Sequence, residues 1–251
     1  MSDRLPYALT EQIGRRARIG LIALQPDETV EHELRRMIRS DDVALFVTRI
    51  PSGEEVTPET LAAMEAALPA AAALLPPSVA FDAVGYACTS GSMQIGTARI
   101  AELVRGATDA RAVTEPLSAL TEALAALNVR RIALISPYIA PVAAPLREAL
   151  RERGVETVAF GSFEERVETR VARIDPASTR EAALQLGRRE DVDGVLLSCT
   201  NLRTFDIIEE VEAALGKPVF SSNQALAWRL ADLCGAHGAI VPPGRLGATP
   251  S

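Results

Sequence analysis

Two cysteines occupy matching places in two similar segments of the chain. Asp82 lies six residues before Cys88, and Asp193 lies six residues before Cys199. The residues between each Asp and Cys are mainly apolar, and a threonine follows each cysteine. Each segment therefore predicts a short buried strand, then a polar turn and a helix. This duplication indicates two similar halves that face each other, each with one thiol in a shared cleft.

Paired thiols support two kinds of chemistry. A cysteine that begins a helix lies beside free N–H groups and the positive end of the helix dipole, which predicts a pKa lowered towards neutrality and rapid alkylation near neutral pH. Two thiols on opposite sides of one carbon can invert a stereocentre. Alternatively, one thiolate adds to an activated double bond, the new single bond rotates, and elimination gives the other geometric isomer. Neither route needs a cofactor. The competing interpretation is that both cysteines are small buried hydrophobic residues.

Hydroxyl groups beside the cysteines are candidate ligands for a substrate carboxylate. Thr89, Ser90 and Thr200, together with helix N–H groups, would hold a carboxylate and stabilise the enediolate that forms when a carbon acid loses its proton. Tyr138 follows a predicted strand and is placed to add another donor, although such a position also suits a boundary aromatic with its hydroxyl in water. Arg203 is a candidate partner for a second carboxylate, or a solvent-facing residue in the first turn of a helix.

Other kinds of site find little support in the sequence. The histidines, His32 and His237, belong to no grouping with metal-ligand spacing, so no metal site is expected. No glycine-rich phosphate loop follows the first strand. Cys234 lies in a helical run rich in Ala and Leu, which predicts ordinary core packing.

Composition excludes several classes of protein. The net charge of −7 argues against nucleic acid as a general partner, because phosphate binding requires a basic face. The most apolar stretch is short and interrupted by proline, so no membrane partner is expected. Residues 1–10 contain no apolar signal-peptide core, and three cysteines without such a signal fit reduced thiols. We therefore expect a cytoplasmic protein.

Apolar strands alternate with amphipathic helices along almost the whole chain, which predicts an α/β fold with parallel sheets covered on both faces. The pattern restarts near residue 116. We predict a first lobe over residues 1–115, completed by residues 218–251, and a second lobe over residues 116–217. Both Cys-Thr pairs then lie at the carboxyl ends of strands, where open parallel sheets bind ligands. The predicted helices that follow the two cysteines cover residues 94–105 and 205–215.

The segments Cys88-Thr89-Ser90-Gly91 and Ser198-Cys199-Thr200, with Tyr138 between them, resemble the aspartate/glutamate racemase superfamily. Within it, the chain is most similar to the branch of maleate cis–trans isomerases, arylmalonate decarboxylases and ectoine-utilization protein A. The resemblance implies two pseudo-symmetric flavodoxin-like lobes, an active site in the cleft between them and a homo-oligomer. It also implies that Cys88 is the nucleophile or first base and Cys199 the proton donor. Thr89, Ser90 and Tyr138 would form the carboxylate pocket.

Differences within this branch bear on the reaction. Decarboxylases of this type have glycine where Cys88 stands, so two cysteines favour isomerisation or racemisation. Maleate isomerases usually carry an asparagine after the first strand. Here that loop is Gln25-Pro26-Asp27, and Gln25 is our candidate substrate ligand in it. The sequence around Cys199 resembles the ectoine-utilization type, so the identity of the substrate stays open.

The sequence thus predicts a cofactor-independent isomerase or racemase of a small carboxylic acid. The alternatives are a decarboxylase of a substituted malonate, a specialised enzyme of ectoine breakdown and a non-catalytic carboxylate-binding protein.

Overall fold

The computed structural model describes residues 3–53, 55 and 57–249. Strands and helices alternate through the described residues, as the sequence pattern predicts. The strands are β1 Ala17–Leu24, β2 Val43–Ile50, β3 Phe81–Ala87, β4 Ala110–Thr114, β5 Arg131–Ser136, β6 Glu156–Ser162, β7 Gly194–Leu197 and β8 Val219–Ser221. The helices are α1 Val30–Met37, α2 Pro58–Ala72, α3 Thr89–Ile95, α4 Thr97–Arg105, α5 Pro116–Ala126, α6 Ala140–Glu152, α7 Glu168–Val171, α8 Pro176–Gly187, α9 Ile208–Leu215, α10 Ser222–Leu233 and α11 Gly244–Gly247.

The strands form two parallel sheets with the same topology. The first is ordered β2-β1-β3-β4 and the second β6-β5-β7-β8, so the second sheet repeats the order of the first. β3 and β7 occupy equivalent inner positions, and each is followed by one cysteine of the repeat. The predicted α/β fold with two similar lobes is confirmed.

The repeated aspartates have one structural role in both lobes. The Oδ2 atom of Asp82 accepts a hydrogen bond from the backbone N–H of Arg18 at 2.9 Å. In the second sheet, Asp193 Oδ2 accepts the equivalent bond from the N–H of Arg131, also at 2.9 Å. Each aspartate therefore pairs with a backbone N–H group near the start of the first strand of its lobe, β1 or β5. A backbone N–H group needs such a partner wherever water is excluded. In both lobes the third strand runs between this aspartate at one end of the sheet and the cysteine beyond the other end.

The C-terminal segment serves both lobes, which corrects part of the predicted division. Strand β8 pairs with β7 and so belongs to the second sheet, although residues 218–251 were assigned to the first lobe. Helix α10 packs its residues Leu226 and Leu230 into the core of the first sheet, beside β1 and β3. On its other side Trp228 packs into a core cluster of the second lobe. The chain crosses between the lobes at the end of β8.

Two helix predictions differ from the structure near the cysteines. The helix expected over residues 94–105 is divided by Gly96, whose φ of +88° favours glycine and ends α3 before α4 begins. The second helix begins at Ile208 and not at residue 205, so Cys199 is followed by an irregular loop. The short helix α7, which begins at Glu168, was not predicted. No helix among the described residues is long and apolar enough to cross a bilayer.

Cys234 lies in the core of the first lobe, as predicted. Its side chain is 9% exposed and packs in the cluster that includes β1, α1 and α10. It does not line the cavity described below.

A buried carboxylate joins helix α1 to the loop that follows Cys199. Glu33 is 3% exposed, and its oxygens accept the backbone N–H groups of Thr204 and Phe205 at 2.6 and 2.9 Å. Oε2 also accepts the side-chain amide of Asn223 at 2.8 Å, in the first turn of α10. Removal of the carboxylate would leave several buried donors without partners. This one side chain therefore stabilises the contact between the lobes beside the cavity.

We expect Glu33→Ala to lower the free energy of unfolding by about 3–5 kcal/mol, because the donors that face the carboxylate remain buried and unpaired. Urea unfolding followed by circular dichroism measures this change. Glu148→Ala is the matched control, since Glu148 is exposed and pairs with the exposed Arg151 one helical turn away. A loss below about 1 kcal/mol for Glu33→Ala, within the usual range of tolerated substitutions, would contradict the assigned role.

Candidate active site

A small cavity lies at the carboxyl ends of the two sheets, and both repeated cysteines line it. Its lining includes six of the eight predicted site residues, namely Cys88, Thr89, Ser90, Tyr138, Cys199 and Thr200. The loop between β2 and α2 covers one side with Ser52, Gly53 and Glu55. An isolated bridge between Glu55 and Val167 links this loop to the second lobe. The cavity is thus built by both lobes.

Cys88 begins helix α3 as its N-cap residue. Its Sγ accepts a hydrogen bond from the backbone N–H of Gly91 at 3.1 Å. A Cβ atom at Gly91 would lie 3.0 Å from this sulfur and would collide with the buried hydroxyl of Tyr86. Glycine is therefore needed here for the thiol to approach the backbone. A thiolate at this position would be stabilised by the same N–H group.

Cys199 lies in an unusual backbone conformation. Its φ of +149° is one that favours glycine, and such strain in a non-glycine residue is found mainly at functional sites. Its N–H donates to the hydroxyl of Ser222 at 3.2 Å, and its Sγ accepts the N–H of Asn201 at 3.3 Å. The Ser222 hydroxyl also accepts a hydrogen bond from Thr89 at 2.9 Å. Ser222 thus connects the two Cys-Thr segments.

A hydrogen-bonded chain runs from Cys199 to a buried carboxylate. The hydroxyl of Tyr138 lies 3.0 Å from Cys199 Sγ and 2.6 Å from Glu168 Oε1. The other oxygen of Glu168 accepts the side-chain amide of Asn201 at 3.0 Å. When Tyr138 donates to the Glu168 carboxylate, its oxygen can accept the S–H of Cys199. This arrangement holds Cys199 as a protonated thiol directed by Tyr138.

Burial opposes ionisation of both thiols. It raises the pKa of Cys88 to about 12, despite the hydrogen bond from Gly91, and nearby Glu168 and Asp27 act in the same direction. Burial also raises the pKa of Cys199 well above its usual value, with Glu168 as the next cause. The sequence-based expectation of lowered thiol pKa values is therefore wrong for this cavity. One N–H group does not offset the loss of water around a thiolate.

Two predicted substrate ligands lie outside the cavity. Arg203 is exposed, and its guanidinium donates to the backbone carbonyl of Ile174 at 3.3 Å. Gln25 is also exposed and is not among the described residues that line the cavity. Both residues lie in loops and are exposed to water.

Two buried acids near the cavity were missed. Glu168 lines it and is 2% exposed, and burial raises the pKa of its carboxyl group. Asp27, two residues after Gln25, is 3% exposed and accepts the N–H groups of Thr29 and Val30 at 2.8 Å each. Burial raises the pKa of Asp27 as well. No periodic pattern marks Glu168 in the sequence, whereas Asp27 shows the usual position of a turn aspartate at the end of a strand.

A second, outer pocket adjoins the cavity and shares Glu55, Leu61 and Ser90 with it. It is open to solvent. Apolar side chains form much of its wall, and Arg166 stands there as an exposed cation. The apolar residues are Leu61, Met93, Ile139, Pro141, Val142 and Pro145. The two spaces together can hold a small polar group and an apolar substituent.

Two lobes of one topology, with a cysteine after the third strand of each and both thiols in one cavity, are the features expected from the resemblance to the aspartate/glutamate racemase superfamily. A family model described as arylmalonate decarboxylase matches residues 54–246. The chain belongs to the arylmalonate decarboxylase/maleate isomerase family of that superfamily, and it is an enzyme of this family.

Known relatives within the family carry out two different reactions. A maleate isomerase of Pseudomonas putida is 30% identical over 227 residues, which cover 85% of this chain and 90% of that protein. An arylmalonate decarboxylase of Bordetella bronchiseptica is 38% identical over 128 residues, which cover 51% of this chain and 53% of that protein. Among solved structures, a cysteine-to-serine variant of Nocardia farcinica maleate cis–trans isomerase carries a covalently bound succinylcysteine intermediate. It superposes with a TM-score of 0.82 at 27% identity, over 92% of this chain and 98% of that one.

Proposed function

We propose that the protein is a cofactor-independent isomerase or racemase of a small carboxylic acid, in which Cys88 and Cys199 act on the same substrate. The observation that carries this proposal is the placement of both buried thiols in the lining of one cavity, one from each lobe. A cysteine that served only core packing, such as Cys234, would have no reason to line a cavity.

The hydrogen bonds support different roles for the two thiols. Gly91 offers an N–H group to the sulfur of Cys88, which favours Cys88 as the thiolate that acts as base or nucleophile. Cys199 faces Tyr138, whose hydroxyl is engaged by Glu168, and this arrangement favours Cys199 as the proton donor. The hydroxyl of Ser90 would hold the substrate carboxylate and stabilise the charge that develops on it. Thr89 and Thr200 would join it by turning their O–H groups from Ser222 and from the carbonyl oxygen of Ala87, to which they donate in the ligand-free protein. Tyr138 would direct Cys199 through its hydroxyl, and because it also lines the cavity it would contribute to the carboxylate pocket that the resemblance implies.

In a racemisation, the thiolate of Cys88 would remove the α-proton from one face of the substrate. The electron pair of the broken C–H bond would pass into the carboxylate as an enediolate. Cys199 would then give its S–H proton to the opposite face, which leaves Cys88 as the thiol and Cys199 as the thiolate. Proton exchange with solvent would restore the starting forms.

In a cis–trans isomerisation, the Cys88 thiolate would form a C–S bond to one carbon of an activated double bond, while Cys199 protonates the other carbon. Rotation about the resulting single bond would precede removal of that proton by Cys199 and loss of Cys88. The succinylcysteine intermediate of the Nocardia farcinica enzyme is a thioether of this kind. The same two residues would therefore serve either reaction.

A decarboxylase of a substituted malonate is the second candidate. It is favoured by the apolar outer pocket, which has the size and lining for an aryl group beside the cavity. In that reaction the carbon–carboxylate bond would break, carbon dioxide would leave, and Cys199 would protonate the enediolate. Decarboxylation requires only one of the two thiols. Because Cys88 supplies a second thiol in the cavity, we rank decarboxylation below isomerisation and racemisation.

Proton NMR of the reduced protein in D₂O distinguishes these reactions. The protein would be incubated with maleate, phenylmalonate and single-enantiomer amino and hydroxy acids. We expect fumarate from maleate, or deuterium at an α-carbon together with inversion. Loss of carbon dioxide from phenylmalonate would identify the decarboxylase instead. If no compound changed while one of them bound, the two-thiol proposal would give way to a binding function.

A further inference from the structure

Tyr86 lies beside Cys88 but outside the cavity. The two residues are two positions apart in extended backbone where β3 ends, so their side chains leave the same face of the sheet, and both pack in one core cluster. A Cβ atom at Gly91 would collide with the Tyr86 hydroxyl and lie 3.0 Å from Cys88 Sγ, so the hydroxyl and the sulfur border the same small space. Tyr86 is fully buried and is not among the described residues that line the cavity. It can therefore influence a substrate only through Cys88.

The hydroxyl of Tyr86 has only a weak acceptor for its proton. It donates to Met64 Sδ at 3.7 Å, and no oxygen or nitrogen atom of the described residues accepts a hydrogen bond from it. The cluster around the ring is apolar, with Ile22, Val84 and Ile100 among its members. A phenol in such surroundings loses its hydrogen bonds to water and gains little in return. A phenylalanine would fill the same space without this penalty, so the structure favours a role for the hydroxyl other than packing.

The two cavity thiols differ in the hydrogen bond that a tyrosine can offer them. Tyr138, whose hydroxyl lies 3.0 Å from Cys199 Sγ, has the carboxylate of Glu168 as the acceptor for its proton. It therefore presents a lone pair to Cys199, which favours the protonated thiol. Within the described chain no carboxylate oxygen accepts a hydrogen bond from Tyr86, so its proton remains free to turn towards the sulfur of Cys88. A thiolate would attract that proton more strongly than the thioether does, because charge-assisted hydrogen bonds are about twice as strong as neutral ones.

We propose that Tyr86 is a positioning residue that turns its O–H group from Met64 Sδ to Cys88 Sγ and so stabilises the thiolate of Cys88. The inference rests on the proposed function and deepens it, because the orientation of the two tyrosine hydroxyls would decide which thiol starts the reaction as base or nucleophile. The proton that Cys88 loses would pass to solvent water. Tyr86 would keep its own proton and donate a hydrogen bond without transfer.

The electrostatics of the two groups agree with this geometry. Burial raises the pKa of Cys88 to about 12, whereas the Tyr86 hydroxyl acts in the opposite direction, as does the N–H group of Gly91. The pKa of Tyr86 is itself raised well above its usual value by burial, with the charge of Cys88 as the next cause. The phenol therefore stays protonated at any pH at which the protein would work. Such a group can donate to the thiolate and does not compete with it as a base.

Alkylation of the ligand-free protein by iodoacetamide tests the proposal without turnover. Tyr86→Phe removes only the hydroxyl. Loss of a hydrogen bond to a charged acceptor lowers the thiolate population about 10- to 100-fold, and the greater nucleophilicity of a more basic thiolate recovers part of this. We therefore expect alkylation of Cys88 to slow about three- to tenfold at each pH from 8 to 10. Peptide mapping by mass spectrometry should show the rate at Cys199 unchanged within experimental error.

Tyr7→Phe is the matched control, because Tyr7 is 76% exposed and does not line the cavity, so both alkylation rates should stay as they are. The melting temperature of Tyr86→Phe should lie within about 4 °C of the original protein or above it, since phenylalanine packs without burying a hydroxyl. An unchanged Cys88 rate in folded Tyr86→Phe protein would overturn the proposal. A large fall in melting temperature with an unchanged rate would assign the hydroxyl a structural role instead.

Met64→Leu tests the same contact from the other side. Leucine keeps nearly the same volume and removes the sulfur that accepts the Tyr86 proton in the ligand-free protein. The O–H group then has Cys88 Sγ as its remaining acceptor, so alkylation of Cys88 should become about twofold faster. A rate that stayed the same or fell would overturn the proposal, and this result decides even if Tyr86→Phe does not fold.

Turnover by the cysteine variants separates this inference from the function on which it rests. If Tyr86→Phe slowed alkylation of Cys88 while Cys88→Ser kept full turnover, the hydrogen bond would be supported and the two-thiol function contradicted. If Cys88→Ser were inactive while folded Tyr86→Phe protein was alkylated at the original rate, the function would stand and the role of Tyr86 would be overturned.

Discussion

Replacement of either Cys88 or Cys199 with serine is expected to lower the turnover number at least about 1,000-fold. A serine hydroxyl is far less acidic than a thiol, so it cannot supply the base, the nucleophile or the proton donor at neutral pH. Because the two thiols act as a unit, the double variant should be no slower than the worse single variant. Turnover is measured by NMR in D₂O with whichever substrate the first screen identifies.

Cys234→Ala is the control for these variants. Cys234 is buried like the cavity cysteines but packs in the core cluster of the first lobe and is not in the cavity lining, so its loss should change turnover little. Circular dichroism and thermal unfolding establish that each serine variant is folded. Near-full turnover by a folded Cys88→Ser or Cys199→Ser protein would show that the two-thiol mechanism is wrong.

The second large effect concerns thiol reactivity in the absence of substrate. A pKa of about 12 for Cys88 means that at pH 7.5 its thiolate is about 1,000-fold or more scarcer than that of an ordinary cysteine. We therefore expect iodoacetamide to alkylate Cys88 at least that much more slowly than a free thiol. Since the pKa is raised, the rate should increase about tenfold per pH unit from pH 7 to 10 without levelling. Peptide mapping by mass spectrometry measures each cysteine separately.

The same protein unfolded in urea provides the reference, because there all three thiols regain ordinary pKa values and access to the reagent. If the alkylation rate of Cys88 levelled off near neutral pH, burial would not have raised the pKa of this thiol. That result would restore the expectation that the start of helix α3 lowers the thiol pKa. Alkylation measures the thiols of the ligand-free protein, so the Cys88→Ser and Cys199→Ser variants, and not this rate, test catalysis.

The fold follows from local patterns in the sequence. Apolar strands alternate with amphipathic helices, and this alternation alone predicts parallel sheets covered by helices. The repeat of Asp82 and Cys88 in Asp193 and Cys199 predicts the equivalence of the two lobes. The structure explains why. Each aspartate accepts a backbone N–H group near the start of the adjacent strand, and each cysteine lies beyond the carboxyl end of its own strand. The alternation of apolar and polar residues and the Asp–Cys spacing are each contained within a short stretch of the chain, and for that reason the sequence alone determined them.

The charge and geometry of the cavity depend on contacts between distant residues. Glu168 lies 30 residues from Tyr138 and 33 from Asn201, and it reaches both only after the second lobe has folded. The exclusion of Gln25 and Arg203 depends on how their loops turn. The pKa of each thiol depends on how much water the opposite lobe removes. The sequence by itself determined the two-lobed fold and the pair of cysteines. Only the tertiary structure decided the acidic character of the cavity, because burial and electrostatics are summed over neighbours in space and not along the chain.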